Sequence, residues 1–385
     1  MKFKRSLLAV PAALALALSA CSSGTASDDN SSADASSTAG ASTGIVTANG
    51  SEPQNPLIPA NTNETGGGRI VDLLFAGLVY YDAEGATHNE MAESIETDDS
   101  QNYTIKIKEG QKFSDGTEVQ AHNFVDAWKL AVSEAQLSAY FFEPIEGYSD
   151  EAGSELTGLT VVDDYTFTVA LNQPESDFPQ RLGYSAFFPL PDSTLADTEN
   201  GGEHPVGNGP YMLASDDAWE HNVQIQLVPN PEYQGDRAAQ NGGVTIVFYA
   251  QQDAAYADLT AGNLDILDAI PDSALSTFED ELGDRAVNQP SAVFQSFTIP
   301  QSLPHFSGEE GQLRREAISL SINRDQITDT IFSGTRTPAV DFTSPVVDGF
   351  NDSLEGSDIL TYDPDRAADL WAQADAISPW EGTFA

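Results

Sequence analysis

Between residues 103 and 107 the chain alternates. Tyr103, Ile105 and Ile107 are apolar while Thr104 and Lys106 are polar, the period of two that marks a strand with one face in a core. Thr166 to Leu171 repeats the alternation after an Asp163-Asp164 turn, and further strands are expected at 223–228, 244–249 and 293–299. His122 to Val132 follows the other period, with Phe124, Ala127, Trp128 and Ala131 on one face of a helix. Ile70 to Leu78 also has helical spacing, and helices are expected near 254–261, 312–322 and 364–375. Asp363-Pro364 suits the N-cap and first position of the last of these. Ile45 to Ala48 reads as a short opening strand ended by the turn dipeptide Asn49-Gly50. Phe113-Ser114-Asp115-Gly116 is a second turn, and Gly207, Gly209 and Pro210 form a third that feeds a strand. Helices and strands interleave throughout, so the expected class is α/β.

The N-terminus follows a different pattern. Lys2, Lys4 and Arg5 precede an uncharged stretch from Ser6 to Ala20. Those 15 residues are too few to span a bilayer, which needs about 20, and fit the apolar region of a secretory signal. The stretch ends in Leu18-Ser19-Ala20-Cys21, which resembles the lipobox of bacterial lipoproteins. Cys21 is the only cysteine, so the fold is expected to stand without disulfides and residues 1–20 to be a cleaved signal peptide. Residues 21–44 are almost all Ser, Ala, Thr, Gly and Asp. They cannot bury enough apolar surface to offset the entropy of ordering, and are expected to form a flexible tether. The protein is thus read as anchored to the membrane by lipid rather than spanning it.

Charge then excludes whole classes of partner. Loss of Lys2, Lys4 and Arg5 leaves 13 of the 16 basic residues against 60 acidic ones, a net charge of 13 − 60 = −47. Nucleic acids and anionic lipid headgroups require phosphate neutralisation by Lys and Arg, so neither is an expected partner. A solvated acidic surface suited to salt or crowding is the expectation, with attraction of cationic substrates as the alternative. Catalytic signals are missing. The histidines at 88, 122, 204, 221 and 305 are scattered, and neither an H-E-x-x-H nor a G-x-S-x-G motif occurs. No enzyme activity, cofactor or metal is expected.

Several segments, taken in order, resemble one family. These are Ala92-Glu93-Ser94, then Tyr103 to Gly110, then Phe113-Ser114-Asp115-Gly116-Thr117-Glu118-Val119 running through Ala121 to Val125 and on to Trp128. They continue with Pro205-Val206-Gly207-Asn208-Gly209-Pro210-Tyr211, Asn230-Pro231-Glu232-Tyr233 and Gly262-Asn263-Leu264-Asp265-Ile266. Arg314 to Ser319 with Ile322-Asn323-Arg324, and Tyr362-Asp363-Pro364 opening Ala367 to Leu370, complete the series. Together, over residues 45 to about 375, they are similar to the extracytoplasmic solute-binding proteins of oligopeptide and dipeptide ABC importers, solute-binding family 5. The resemblance implies a two-lobed class II periplasmic-binding-protein clamshell with an extra subdomain in the first lobe. The expected division is 45–88 with 205–292 as first lobe, 89–204 as the extra subdomain and 293–385 as the second lobe. The family usually runs longer than this chain, so the second lobe is expected to be incomplete through C-terminal truncation.

Function follows from the resemblance as an expectation. It implies an extracytoplasmic subunit, tethered to the outer face of the cell membrane or periplasmic, that captures oligopeptides and delivers them to an ABC permease and its ATPase. A monomer is expected. Ligands of the same family such as nickel chelates, haem or oligosaccharides remain alternatives, as does a surface lipoprotein with no transport role. Broad peptide binders grip the ligand backbone as an added strand. The resemblance assigns that contact to the loop holding Asn63, Glu64, Thr65 and Gly66, where glycine permits close approach of main chains; the alternative for this loop is a surface turn that only caps the helix at 70. Asn55-Pro56-Leu57 departs from the family's usual Leu-Asp-Pro just before it. Tyr140, twelve residues after Trp128, matches a cleft tyrosine. Phe294, Ser296 and Thr298 would share one face of a crossover strand.

The anchor has a direct test. Cys21→Ser is expected to abolish lipid attachment and to release or mislocalise the protein, as read by fractionation and mass spectrometry. A membrane-bound, lipid-carrying Cys21→Ser protein would contradict the lipoprotein reading.

Overall fold

The computed structural model describes residues 43–151, 153–347 and 349–382. Cys21, the signal segment and nearly all of the tether lie outside the described residues. In chain order the strands are β1 (Ile45–Gly50), β2 (Val79–Tyr81), β3 (Thr87–Asn89), β4 (Ala92–Glu96), β5 (Asn102–Ile107), β6 (Leu159–Asp163), β7 (Thr166–Ala170), β8 (Tyr211–Leu213), β9 (Trp219–Glu220), β10 (Gln224–Pro229) and β11 (Gly243–Phe248). Helices of seven residues or more are α1 (Thr65–Leu74), α2 (Ala121–Ser133), α3 (Gln252–Ala261), α4 (Gly308–Leu320), α5 (Arg324–Thr330) and α6 (Pro364–Ile377).

Two larger sheets and the small β2-β3 pair organise residues 45–248. One has the order β1-β11-β10-β8, with β9 also against β10. Among its named strands the parallel pairing is β1 with β11, a contact made across almost 200 residues of intervening sequence. The other is an antiparallel sheet of order β4-β5-β7-β6. Tyr103, Ile105 and Ile107 of β5 and Phe167 and Val169 of β7 turn inward there, under the buried face of α2. That face is the expected one: Phe124, Ala127, Trp128 and Ala131 are all buried. Trp128 meets Phe167 and Phe187 edge-on, at 5.6 and 5.3 Å between ring centres, and its indole N–H donates to the Phe187 carbonyl at 2.9 Å. The ring burial and the satisfied donor together explain how a Trp sits fully inside.

Three local expectations are corrected. First, β1 does not turn at Asn49-Gly50 but runs through both, with Gly50 opposite Phe248. Asn49 is buried, and its side chain donates to Asp268 at 2.6 Å and accepts from the Asp268 N–H at 3.0 Å. Long-range pairing overrides the local turn preference of Asn-Gly. Second, α1 begins at Thr65 rather than Ile70 and stops at Leu74 rather than Leu78. Glu64 is its N-cap, accepting from the Gly67 N–H at 2.8 Å. Phe75 already has extended angles (φ −122°, ψ 161°). Third, residues 293–299 form no strand. A strand needs a neighbour to satisfy its backbone N–H and C=O groups, and no backbone hydrogen bond joins this segment to another described one. Val293, Phe294 and Phe297 are 78%, 50% and 65% exposed.

The motifs that carried the resemblance meet at the end of α1. The Asn208 side chain accepts from the Ala76 N–H and donates to the Ala76 carbonyl, both at 3.0 Å, as a neighbouring strand would. The Gly209 N–H donates to the Leu74 carbonyl at 2.8 Å, and the Ser114 N–H donates to the Gly207 carbonyl at 2.8 Å. A Cβ on Gly207 would lie 1.9 Å from the Leu74 carbonyl oxygen, so no larger residue fits without backbone movement. The Asn230 amide donates to the Gly209 carbonyl at 2.9 Å. Arg237 donates to the carbonyls of Asp72 and Phe75 at 3.0 and 3.1 Å, and to the buried Glu90 carboxylate, which also accepts from the Tyr233 hydroxyl. Further along, Gly262 to Ile266 lies against β1, where the Asp265 carboxylate accepts from the Thr47 N–H and hydroxyl, each at 2.8 Å. Arg314 of α4 is fully buried between the rings of Trp371 and Trp380, paired with Glu310 and Asp375 at 3.0 and 2.9 Å.

Asn208→Ala is therefore expected to destabilise the protein. It leaves the Ala76 N–H and C=O unpaired at a buried site, at about 1–3 kcal/mol per orphaned group. Gly207→Ala, which forces backbone apart, should cost more than Asn208→Ala. Urea unfolding followed by circular dichroism checks both, and unchanged midpoints would contradict the clamp described above.

Candidate functional site

α1 has two unlike faces because its residues alternate at helical spacing. Gly66, Gly67, Ile70, Val71 and Leu74 are buried. Thr65, Arg69 and Asp72, at i, i+4 and i+7, form the outward row, with Thr65 and Asp72 exposed and Arg69 half-buried. The glycines at the start of the helix serve the protein's own packing. A Cβ on Gly66 would sit 2.4 Å from the Ser51 hydroxyl, and one on Gly67 would sit 2.6 Å from the Thr62 methyl. The Glu64 carboxylate is engaged as the helix cap and also accepts from the Gln54 N–H at 3.3 Å. Of the four loop residues expected to meet ligand, Asn63 and Thr65 are exposed, Glu64 is half-buried and Gly66 is buried.

An aromatic wall stands beside this row. The Ser138 N–H donates to the Ala60 carbonyl at 2.9 Å, and the Leu137 N–H donates to the Asn61 side chain at 3.3 Å. These bonds bring the Tyr140 segment against the 61–66 loop. Tyr140, 57% exposed, packs on Phe141 at 4.6 Å, and Phe141 stacks on Tyr184 at 4.2 Å and 26°. Gly183 follows the same surface: a Cβ there would lie 2.9 Å from the Tyr81 ring. The Tyr81 hydroxyl donates to the Gln180 carbonyl at 2.6 Å. Tyr140, Tyr184 and Tyr81 all remain at least one-third exposed.

Electrostatics ties the wall to the helix. Surrounding protein raises the Asp72 pKa above the usual carboxylate range, against the lowering pull of the Arg237 guanidinium. Burial likewise raises the Tyr184 and Tyr81 hydroxyls, and the Asp72 charge pushes both further up. On the other side of the row, Arg69 pairs with Asp268. Burial pushes Asp268 up, but hydrogen bonds from Asn49 and Arg69 outweigh it and hold the carboxyl below its ordinary value. Asp268 also lines a cavity of about 490 Å³ together with Ile266, Ile270, Val287, Thr335 and Arg336.

The structure joins some of the expected site residues and not others. The 61–66 loop and Tyr140 share one surface. Phe294, Ser296 and Thr298 are all exposed, and among the described residues no hydrogen bond or ring contact links them to that loop or to Tyr140. Their neighbour Gln295 accepts from Arg336, at the rim of the cavity. Asp72, Tyr81, Phe141 and Tyr184 were not singled out by sequence. The helical spacing from Thr65 to Asp72 was a usable signal for Asp72. None existed for Tyr184, which reaches the site only through tertiary folding. Among the described residues, no group of three or more His, Cys, Asp or Glu side chains is placed to hold a metal ion, and no helix is long and apolar enough to cross a membrane.

Comparison with known proteins bears on the fold and the family. A family profile described as "Bacterial extracellular solute-binding proteins, family 5 Middle" matches residues 86–384. The oligopeptide-binding protein OppA of Bacillus subtilis is 27% identical over 373 residues, covering 92% of this chain and 66% of that protein. Among solved structures, OppA of Burkholderia pseudomallei superposes with a TM-score of 0.70 at 22% identity, over 87% of this chain and 67% of that one. OppA of Haemophilus influenzae in complex with RPPGFSPFR gives 0.62 at 27% identity, over 78% and 60%. The chain thus spans less than two thirds of the length of the Bacillus relative. The fold is the two-lobed α/β clamshell of these binding proteins, and the chain belongs to the bacterial extracellular solute-binding proteins of family 5.

Proposed function

We propose that this protein captures oligopeptides in the cleft of its clamshell and hands them to the permease and ATPase of an ABC importer, held at the outer face of the membrane by a lipid on Cys21. The observation that carries the peptide assignment is the family match over residues 86–384, taken with relatives named for oligopeptide binding. One solved relative is described in complex with a nine-residue peptide. Members of the family bind solutes and are not enzymes.

Sheet membership supports the proposed division into lobes. β1 pairs with β11, and β11 with β10, which supports residues 45–88 and 205–292 as one lobe. The separate sheet β4-β5-β7-β6 supports 89–204 as its added subdomain, with 293–385 belonging to the second lobe. Ligand contacts are proposed at Asn63, Glu64, Thr65, Gly66 and Tyr140 on the first lobe, and at Phe294, Ser296 and Thr298 on the crossover. Since Glu64 and Gly66 are committed to the helix start, their contribution to a peptide would come from the backbone, as in strand addition. Exposed side chains at Phe294, Ser296 and Thr298 leave that segment free to pair when the cleft closes.

Calorimetry on the full-length protein provides the test. Unrelated short peptides should bind with similar affinities, while free amino acids and simple sugars bind poorly. Tyr140→Ala should weaken peptide binding about tenfold, the loss expected when one aromatic contact is removed. Binding of a sugar or a metal chelate without peptide binding would replace the peptide assignment.

A further inference from the structure

One of the five histidines is placed unlike the others. His88, His122 and His305 each meet one carboxylate through one ring nitrogen, at 2.7 to 2.9 Å. His221 meets two. Its Nδ1 lies 2.8 Å from Glu52 and its Nε2 lies 3.2 Å from Glu203. A neutral imidazole carries a proton on one nitrogen and presents a lone pair at the other. Both carboxylates are therefore satisfied only by the imidazolium, which donates from both nitrogens.

Every element packed against the ring favours that charge. The segment after β1 contributes Glu52, and the helix Thr198–Glu203 contributes Glu203. β9 contributes Trp219, whose ring centre lies 4.5 Å from that of the imidazole, a further attraction for a cation. The sequence neighbours Glu220 and His204 make no side-chain hydrogen bond or ion pair with the ring among the described residues. No Lys or Arg of the described residues pairs with Glu52 or Glu203 in its place. The hydrogen bond with Glu52, helped by the charges of both acids, outweighs burial and holds the His221 pKa above its ordinary 6.5.

These contacts hold the segment that backs the 61–66 loop. Asn222, at φ +62°, turns its N–H onto the second Glu52 oxygen at 2.7 Å, so the β9–β10 turn grips Glu52 twice. At the far end of the segment the Leu57 N–H donates to the Gly202 carbonyl at 2.9 Å, one residue before Glu203. A Cβ on Gly202 would lie 2.4 Å from Pro56. The inner side of the same segment touches the loop. Ser51 closes over Gly66, the Gln54 N–H donates to Glu64 at 3.3 Å, and the Pro56 carbonyl accepts from the Thr62 hydroxyl at 3.5 Å. We propose that His221, as an imidazolium between Glu52 and Glu203, is a proton-operated clasp that positions the 51–57 segment behind the ligand loop. The link to ligand rests on the peptide assignment above; the clasp itself does not. A raised folded pKa gives stability that is complete below the unfolded value and lost as the pH rises through the folded one. The segment is thus held in mild acid and released above the His221 pKa.

Three measurements on the full-length protein test this. An NMR titration of the imidazole C–H should place His221 above the ordinary histidine value, and Glu203→Gln should move it back down. Hydrogen exchange over residues 51–57, corrected for intrinsic rates, should show protection falling about two- to fivefold as the pH rises through that pKa, the scale of exposed ion pairs. His221→Gln keeps a donor but does not titrate, so its protection should stay level. Affinity for a short peptide should fall over the same window, read as the ratio of wild type to His221→Gln so that the α-amino titration of the peptide cancels. A His221 pKa at or below the ordinary value, or a protection step that survives His221→Gln, would overturn the clasp. A step in protection with no change in the affinity ratio would overturn its link to the ligand loop. Absence of any peptide binding in the wild type sinks the peptide assignment instead, and the NMR and exchange results still decide the clasp.

Discussion

Everything placed around the proposed ligand surface depends on how the backbone of residues 74–76 is satisfied. Where α1 stops, its last carbonyls lose their helical partners and lie in the interior, away from water. Asn208 closes one gap by acting as a two-bond strand partner for Ala76, and Gly209 and Arg237 supply donors to Leu74, Asp72 and Phe75. This junction fixes the pitch of α1, and with it the row Thr65, Arg69, Asp72. It also fixes the entry of β8 and, through the Ser114 to Gly207 bond, the start of the segment leading to α2. Glu90, 2% exposed, is tolerated there because Arg237 and the Tyr233 hydroxyl satisfy it. Removal of Arg237 would strand a buried charge.

The family-defining motifs and the proposed ligand contacts are consequently different residues with different duties. Gly207-Asn208-Gly209, Asn230 and Tyr233 face inward and hold one segment of backbone to another. Asn63, Thr65, Asp72, Tyr140 and Tyr184 face outward from the frame so made. Such a separation lets the outward residues change without disturbing the junction. Rigid elements beneath and adaptable side chains above also suit a cleft that grips backbone first and side chains second.

Acidity shapes the remainder of the surface. Several of the basic residues are consumed in named pairs, among them Arg69 with Asp268, Arg181 with Glu175 and Asp177, Arg237 with Glu90, and Arg366 with Glu316 and Asp358. Carboxylates without such partners often bond to backbone. Asp99 accepts from the N–H groups of Gln101 and Asn102, which hold its pKa well below the ordinary carboxylate range. Asp363 caps α6 and Asp197 caps the short helix that starts at Thr198. The excess charge beyond these uses is solvated, and salt screens its mutual repulsion.

Sequence by itself determined the elements whose signal is local. Alternation gave β5 and β7, the apolar face gave α2, and Asp363-Pro364 gave the start of α6, because each depends on side chains a few residues apart. The ordered motifs also placed the chain in its family, since their spacing survives at low identity. Tertiary structure alone decided the rest. Asn49-Gly50 became strand because β11 lay alongside, and 293–299 did not because no described strand did. The start of α1 moved to Thr65 because Glu64 caps it and Ser51 and Thr62 close over its glycines. The Tyr140 segment came to the 61–66 loop through the bonds from Leu137 and Ser138 to Asn61 and Ala60. Hydrogen-bond partners and charged neighbours supplied from afar carry no trace in a local window, so a site built from them is legible only once the chain is folded.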